Sequence, residues 1–159
     1  MLRAVVFSDS HGNYDVLERI MERHKDNAGL FIHLGDGERE LEYLKFIYPE
    51  KTILFAAGNC DWDSEAPDCG MVEFGEKRIF YTHGYRFGVK GGLEKAISEA
   101  ESRGADILLF GHTHIPFIGR EDSLYIMNPG SCACPREGAP TYGVIDFTEN
   151  GIFMYTTEI

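Results

Sequence analysis

The chain is short of positive charge, and this shortage excludes two classes of large partner. Its 15 lysines and arginines stand against 26 aspartates and glutamates, which gives a formal net charge of −11. A broad negative field repels nucleic-acid backbones and anionic membrane surfaces, so we expect neither a long nucleic acid nor a membrane as partner. A small anionic substrate is still allowed, because bound divalent cations would reverse the potential locally.

Cysteine pairs, linkers and long apolar runs are also lacking. Cys60, Cys69, Cys132 and Cys134 form no CxxC pair, so we expect free thiols, with a soft metal at Cys132 and Cys134 as the less favoured alternative. No apolar run approaches the roughly 20 residues that span a bilayer. The apolar start of the chain is too short for a signal peptide, so we expect a cytoplasmic location. The length predicts one domain, 1–159.

Short apolar runs alternate with amphipathic segments in the first half of the chain. Each run is followed by a turn with glycine or a small polar residue, as expected of buried strands in an α/β sheet. The second half contains mostly hairpins, so we predict two packed sheets with helices on their outer faces. The main predicted strands are 2–7, 30–34, 52–57, 78–82 and 107–110, and the predicted helices follow Asn13, span 41–48 and span 92–103.

Potential metal ligands follow five of these strands. Two histidines with one residue between them, as at 112 and 114, are by themselves often ordinary loop residues. Asp9 alone could cap a helix, although Asn13 is better placed for that role. Ligands bind at the carboxyl ends of strands in such sheets, so the recurrence is informative. The candidates are Asp9, His11, Asp36, Asn59, His83, His112 and His114. His33 lies within a strand, and we expect it to be a hydrogen-bonded core residue.

Seven such side chains are more than one ion needs. Carboxylate, amide and imidazole groups bind divalent ions such as Mn²⁺, Fe²⁺ or Zn²⁺. Two ions about 3.5 to 4 Å apart activate a bridging water and stabilise both oxygens of a phosphoryl displacement. The alternative, in which all seven are caps and loop hydrogen bonds, requires the same coincidence at five strand ends. The pattern therefore favours a pair of metal ions that share a carboxylate.

The ordered motifs resemble those of a known family over nearly the whole chain. They are Asp9-x-His11, Gly35-Asp36, Gly58-Asn59-Cys60-Asp61, His83-Gly84 and Gly111-His112-x-His114. In this order they resemble the calcineurin-like metallophosphoesterase superfamily. The short length and the Asn128-Pro129-Gly130-Ser131 loop ending in Pro135-Arg136 resemble its compact YfcE-like phosphodiesterase branch.

The resemblance implies an α/β fold, a four-layer αββα sandwich with two mixed sheets flanked by helices. It implies two divalent ions, with Mn²⁺ preferred and Fe²⁺, Zn²⁺ or Ni²⁺ as alternatives. One ion would be bound by Asp9, His11, Asp36 and His114, and the other by Asp36, Asn59, His83 and His112. A metal-bridging hydroxide would attack a small phosphodiester, with Asp36, Asn59 and His83 as the catalytic residues.

Two departures from the family affect the expected chemistry. Cys60 stands where many members have a histidine that assists the leaving group, and Tyr85 stands where relatives often have another histidine. The general acid is therefore unassigned, with Asp61 and a metal-bound water as candidates, and we expect a preference for aryl phosphodiesters. Arg86 and Arg136 are candidates for substrate contacts, although an ordinary solvated arginine is the simpler interpretation of each.

A second hypothesis is a protein-interaction scaffold, because a subunit of the retromer complex resembles this fold. The complete set of seven ligands favours hydrolysis, since a scaffold does not need it. The sequence leaves open whether the chain forms a homo-oligomer.

Overall fold

The computed structural model describes all residues, 1–159, as ten strands and three α-helices. The strands are β1 (Leu2–Phe7), β2 (Leu30–His33), β3 (Ile53–Phe55), β4 (Cys69–Phe74), β5 (Lys77–Thr82), β6 (Ile107–Phe110), β7 (Pro116–Glu121), β8 (Leu124–Pro129), β9 (Thr141–Thr148) and β10 (Gly151–Glu158). The helices are α1 (Tyr14–His24), α2 (Glu38–Ile47) and α3 (Glu94–Ser102).

The strands form two five-stranded mixed sheets. The first has the order β10-β9-β1-β2-β3, in which β1, β2 and β3 are parallel and β9 and β10 pair antiparallel. The second has the order β4-β5-β6-β8-β7, in which β5, β6 and β8 are parallel and both edge strands are antiparallel. Each sheet thus has a parallel centre, whose strands end at the same edge.

Side-chain alternation along the central strands divides the protein into four layers. On β1, Ala4 and Val6 enter the core between the two sheets, whereas Val5 and Phe7 pack against α1 and α2. On β6, alternate residues enter the same central core or pack against α3. Because successive side chains point to opposite faces of a strand, a continuous apolar run is what a strand with two buried faces requires.

This architecture confirms the predicted four-layer αββα sandwich. Asn13 caps α1 as expected, since its side chain accepts a hydrogen bond from the Val16 backbone N–H at 3.2 Å. None of the helices has both the length and the apolar character that a membrane-spanning helix requires. The single-domain assignment stays a prediction.

Three local details differ from the sequence-based assignment. The sequence pattern predicts no strand at 116–121, where β7 forms an edge whose largely exposed side chains show no regular alternation. Strand β8 continues through Asn128 and Pro129, where the sequence predicts a loop. It pairs there with β7, with Pro116 opposite Pro129. Strand β3 is shorter than predicted, and Ala56 and Ala57 belong to the loop that follows it.

Candidate metal centre

The seven predicted ligands lie together beyond the carboxyl ends of the parallel strands. Five of them have a left-handed backbone, with φ of 56° at Asp9, 43° at His11, 58° at Asp36, 67° at His112 and 60° at His114. A non-glycine residue in this region is strained, and such strain persists where the surrounding structure enforces it, often at functional sites. The sharp turns allow side chains two positions apart in one loop, such as those of Asp9 and His11, to face the same place.

The first group of potential ligands joins the loop after β1 to the loop after β6. Oδ1 of Asp9 lies 3.1 Å from Nε2 of His114 and 3.7 Å from Nε2 of His11. The two imidazole Nε2 atoms are 3.3 Å apart. The three side chains are therefore close enough to share one ion.

The second group surrounds His83, which follows β5. Its Nε2 lies 3.1 Å from Oδ1 of Asn59, 3.1 Å from Nδ1 of His112 and 3.4 Å from Oδ2 of Asp36. The same Asp36 oxygen is 3.7 Å from Nε2 of His11, so Asp36 lies between the two groups. This is the arrangement needed for a carboxylate shared by two ions.

Hydrogen bonds made by the outer ring nitrogens fix the direction of the imidazole lone pairs. Nδ1 of His83 donates to the Leu34 carbonyl and Nδ1 of His114 donates to the Cys134 carbonyl, each at 2.6 Å. Their Nε2 atoms must then present lone pairs to the centre of the site in the neutral tautomer. Burial is the main cause that lowers the pKa of His112 to about 4, so this ring is neutral at pH 7.

A buried oxygen without a partner shows that the group suits a cation. Oδ1 of Asp9 is fully buried and accepts no hydrogen bond, although imidazole nitrogens surround it. Burial alone would raise the pKa of Asp9, but His11 and His114 outweigh it and lower the pKa below the ordinary range. An ionised, unpartnered oxygen facing nitrogen lone pairs needs a positive charge between them, and ligand atoms about 3 to 4 Å apart suit bonds of about 2.0 to 2.2 Å to one ion.

Asp61 has a structural role that the sequence did not reveal. Its Oδ2 accepts the backbone N–H of Asp36 and of Gly58, each at 2.7 Å. Its Oδ1 accepts the N–H of Gly37 at 2.8 Å and of Glu38 at 2.9 Å. The carboxylate thus caps α2 and ties the loop that contains Asp36 to the loop that contains Asn59. The role of Asp61 as general acid stays a prediction, and these contacts do not favour it because both carboxyl oxygens already accept backbone N–H groups.

A buried chain of hydrogen bonds supports the loop after β1. Nδ1 of His33 accepts the Gly35 N–H at 3.0 Å, so its Nε2 carries the proton and donates to Oγ of Ser10 at 2.9 Å. The Ser10 hydroxyl donates to Oε1 of Glu40 at 2.6 Å, and the Gly12 N–H donates to the same oxygen at 2.7 Å. The prediction that His33 is a hydrogen-bonded core residue is confirmed.

Ser10 and Glu40 support the site, and the sequence did not predict either role. Ser10 stands between two predicted ligands and could have been noticed for that reason. Glu40 gave no signal, because an acidic residue in the first turn of a helix is usually solvated and stabilised by the helix dipole. Only the packing of α2 buries it.

The two residues that depart from the family pattern lie at the rim. Cys60 is exposed and its backbone N–H donates to Oδ1 of Asp36 at 2.7 Å. Burial and the Asp36 carboxylate raise the pKa of its thiol to about 11, so it is protonated at neutral pH and is a poor nucleophile. The Tyr85 ring centroid lies 6.0 Å from that of His83, and Arg86 pairs with Asp68 at 2.6 Å.

A cavity of about 480 Å³ opens beside the group. The cavity is lined by His11, Asp36 and Cys60, by the first turn of α2, and by Asp61 and Trp62. Neither Arg86 nor Arg136 lines it. A small molecule can therefore reach the shared Asp36 directly from this cavity.

Comparisons with known proteins identify relatives along most of the chain. The model of the calcineurin-like phosphoesterase superfamily domain matches residues 2–150. The probable metallophosphoesterase YsnB of Bacillus subtilis is 34% identical over 135 residues, which cover 85% of this chain and 78% of YsnB. The phosphodiesterase YfcE of Escherichia coli K12 is 28% identical, over 92% of this chain and 88% of YfcE. Vps29 of Chaetomium thermophilum has the same fold, with a TM-score of 0.77 and 18% identity over 98% of this chain and 95% of Vps29.

We predict that Asp61→Asn destabilises the protein, because an amide keeps one acceptor oxygen and turns an NH₂ group toward two backbone N–H donors. The free energy of unfolding, measured by urea denaturation, should fall by at least about 2 kcal/mol. Asp63→Asn is the matched control: Asp63 is exposed and makes no side-chain hydrogen bond, so its change should stay within about 0.5 kcal/mol. Equal stability of the two variants would refute the structural role of Asp61.

A second prediction concerns the pH dependence of stability. Burial lowers the pKa of His33 from 6.5 to about 4. Between pH 6.5 and 4 this residue is therefore protonated in the unfolded chain and neutral in the folded chain. As the pH is lowered through this range, the free energy of unfolding should fall, with a contribution of about 3 kcal/mol from His33. His33→Asn keeps an acceptor for the Gly35 N–H and removes the titration. Its stability should vary less steeply with pH than that of the wild type, and parallel curves would contradict this account.

Proposed function

Because the chain belongs to the calcineurin-like phosphoesterase superfamily, we propose that it hydrolyses phosphodiester bonds of small substrates with two divalent metal ions. The observation that carries the proposal is the unpartnered Oδ1 of Asp9 among inward-facing imidazole nitrogens. Relatives named as phosphodiesterases support the reaction class.

Each residue group would hold one ion. Asp9, His11 and His114 form the first group, Asn59, His83 and His112 the second, and Asp36 lies between them. Divalent ions bound there would activate water and neutralise the charge that develops on the phosphoryl oxygens. Carboxylate and imidazole ligands together suit Mn²⁺, with Fe²⁺, Zn²⁺ and Ni²⁺ as alternatives.

Residues around the ligands hold the ligand loops in place. Asp61 holds the loops of Asp36 and Asn59 in register, and Glu40 holds the loop of Asp9 and His11. These contacts prepare the ligand geometry before substrate arrives, which lowers the cost of reorganisation during reaction. The substrate phosphoryl group would bind where the cavity meets His11 and Asp36.

The rim of the site favours esters with good leaving groups. Asp61 is committed to backbone N–H groups, and the Cys60 thiol, whose pKa is raised to about 11, is too weak an acid to protonate a departing alkoxide efficiently. The aryl oxide of an aryl phosphodiester can leave without being fully protonated. Aryl phosphodiesters should therefore react faster than alkyl phosphomonoesters. The net charge of −11 supports a small substrate over a long nucleic acid. A cytoplasmic location stays a prediction, and the oligomeric state stays open.

The scaffold hypothesis has weaker support. The likeness to Vps29, at 18% identity, shows the fold alone. Exposed apolar side chains on α2, such as Phe46, are compatible with a partner. A scaffold, however, does not explain why ionised and neutral ligands converge around a buried oxygen.

The proposed function is tested by hydrolysis of bis(4-nitrophenyl) phosphate after reconstitution with Mn²⁺. Wild-type protein should turn the diester over and be inactivated by a chelator. Asp36→Asn should lower kcat by at least about a hundredfold, because the shared ligand serves both ions. Cys60→Ser is the neighbouring control, and its rate should change only severalfold. Absence of turnover in metal-reconstituted wild-type protein would leave the scaffold hypothesis standing.

The division of ligands is tested separately by metal titration. His112→Ala and His114→Ala should each weaken one Mn²⁺ site by about 10- to 100-fold and leave a second site near its wild-type affinity. The double variant should weaken both. His24→Asn is the control, because His24 bonds to Tyr142 and Asn27 away from the site. If each single variant lost both ions, the two histidines would not serve different ions.

A further inference from the structure

The only tryptophan of the chain lies on the cavity beside the candidate metal centre. Trp62 is 84% exposed and makes no aromatic or cation–π contact within the protein. An exposed indole is common on protein surfaces, but this one shares a cavity with the proposed ligands His11 and Asp36. An unoccupied aromatic face at such a place is suited to stacking against a flat ring.

The backbone that presents Trp62 is fixed on both sides. The preceding residue, Asp61, accepts four backbone hydrogen bonds. After it, the Ser64 hydroxyl donates to Oε1 of Glu38 at 2.9 Å, which ties the loop to α2. The ring is therefore free to meet a ligand while its attachment point is held, so little loop ordering has to accompany binding.

Arg39 is the only lysine or arginine that lines the same cavity. It is exposed and makes no hydrogen bond or ion pair in a chain with a net charge of −11. Its acidic neighbours have other partners, since Glu38 accepts from Ser64 and Glu40 from Ser10. It also lies in the first turn of α2, where the helix dipole disfavours a cation. Neither an ion pair nor a favourable interaction with the helix dipole explains why an arginine occupies this position.

We propose that this cavity binds an aromatic ring of the phosphodiester against Trp62, while Arg39 donates hydrogen bonds to acceptor atoms on the edge of that ring. The ligand class is a nucleobase or a substituted aryl group, and alkyl diesters such as those of glycerol are disfavoured. The proposal rests on the proposed function, because it places the phosphoryl group at the metal end of the cavity. It adds a second basis for selecting the organic group of the substrate. Stacking would change the affinity for the ring, whereas leaving-group chemistry changes the rate of the reaction.

Intrinsic fluorescence tests binding without turnover, because Trp62 is the sole tryptophan. Metal-reconstituted protein is titrated with adenosine 5′-monophosphate, which has a ring and a phosphate, and with ribose 5-phosphate, which has the phosphate alone. The nucleotide should quench the emission saturably, and the sugar phosphate should leave it nearly unchanged. Equal responses to both ligands, or no response to the nucleotide, would overturn the proposal even if diesters are hydrolysed.

Kinetics of the variants provide the second test. Trp62→Ala should raise KM for bis(4-nitrophenyl) phosphate about tenfold with little change in kcat, and Trp62→Phe should restore most of the loss. Arg39→Gln should raise KM severalfold. Phe46→Ala removes an exposed aromatic side chain that does not line the cavity and should behave as wild type. If Trp62→Ala kept the wild-type KM, the ring would bind elsewhere, and the proposed hydrolysis would be unaffected by that result.

Discussion

The site depends on one electrostatic constraint, the buried Oδ1 of Asp9 that has no hydrogen-bond donor. Leaving an ionised oxygen unpaired in the interior is costly, and a fold retains it only where a compensating charge is available. His83 and His114 use their outer ring nitrogens on backbone carbonyls, so they turn lone pairs toward this oxygen. The carboxylate oxygen and the imidazole nitrogens therefore lie together at a point where a bound cation would stabilise them.

Maintaining that arrangement requires support from residues outside it. Five ligands are held in left-handed backbone conformations, which would relax if the loops were free. Asp61 and Glu40 prevent this by accepting backbone N–H groups from the loops, and both act at the first turn of α2. The helix is thus an anchor for two ligand loops. The helix packs against the first sheet through buried Leu41 and Leu44, and this packing holds in place the helix to which the ligand loops are bonded.

The cysteine at position 60, where many family members have a histidine, is consistent with the ligand preference proposed for the cavity. With a protonated Cys60 at the rim and Asp61 engaged in backbone contacts, the chain has no strong proton donor beside the proposed reaction centre. Substrates with stable leaving groups compensate for this, and such groups are commonly aromatic. The exposed Trp62 on the same cavity would recognise the same feature by its shape. For aryl diesters, the chemical and binding preferences would then coincide.

The local sequence was sufficient for the fold class and for the ligand candidates. Continuous apolar runs such as 107–110 predicted strands buried on both faces, and a polar residue after each run marked the edge where Asp9, Asp36 and His112 meet. The exposed edge strand β7 was missed because it lacks a burial pattern, and pairing with β8 defines it. Supporting roles could not be read from the sequence for a similar reason.

Along the chain, Arg39 and Glu40 look like ordinary charged residues at a helix start, and Asp61 looks like an ordinary charged residue in a loop. Tertiary structure decides that Asp61 receives four N–H groups, that Glu40 is buried against the loop after β1, and that Arg39 stays unpaired on a cavity. The sequence by itself determined which side chains are competent to bind metal, because that depends on residue type and position after a strand. Which charges are satisfied depends on distances between segments far apart in the chain, and only the folded structure sets those distances.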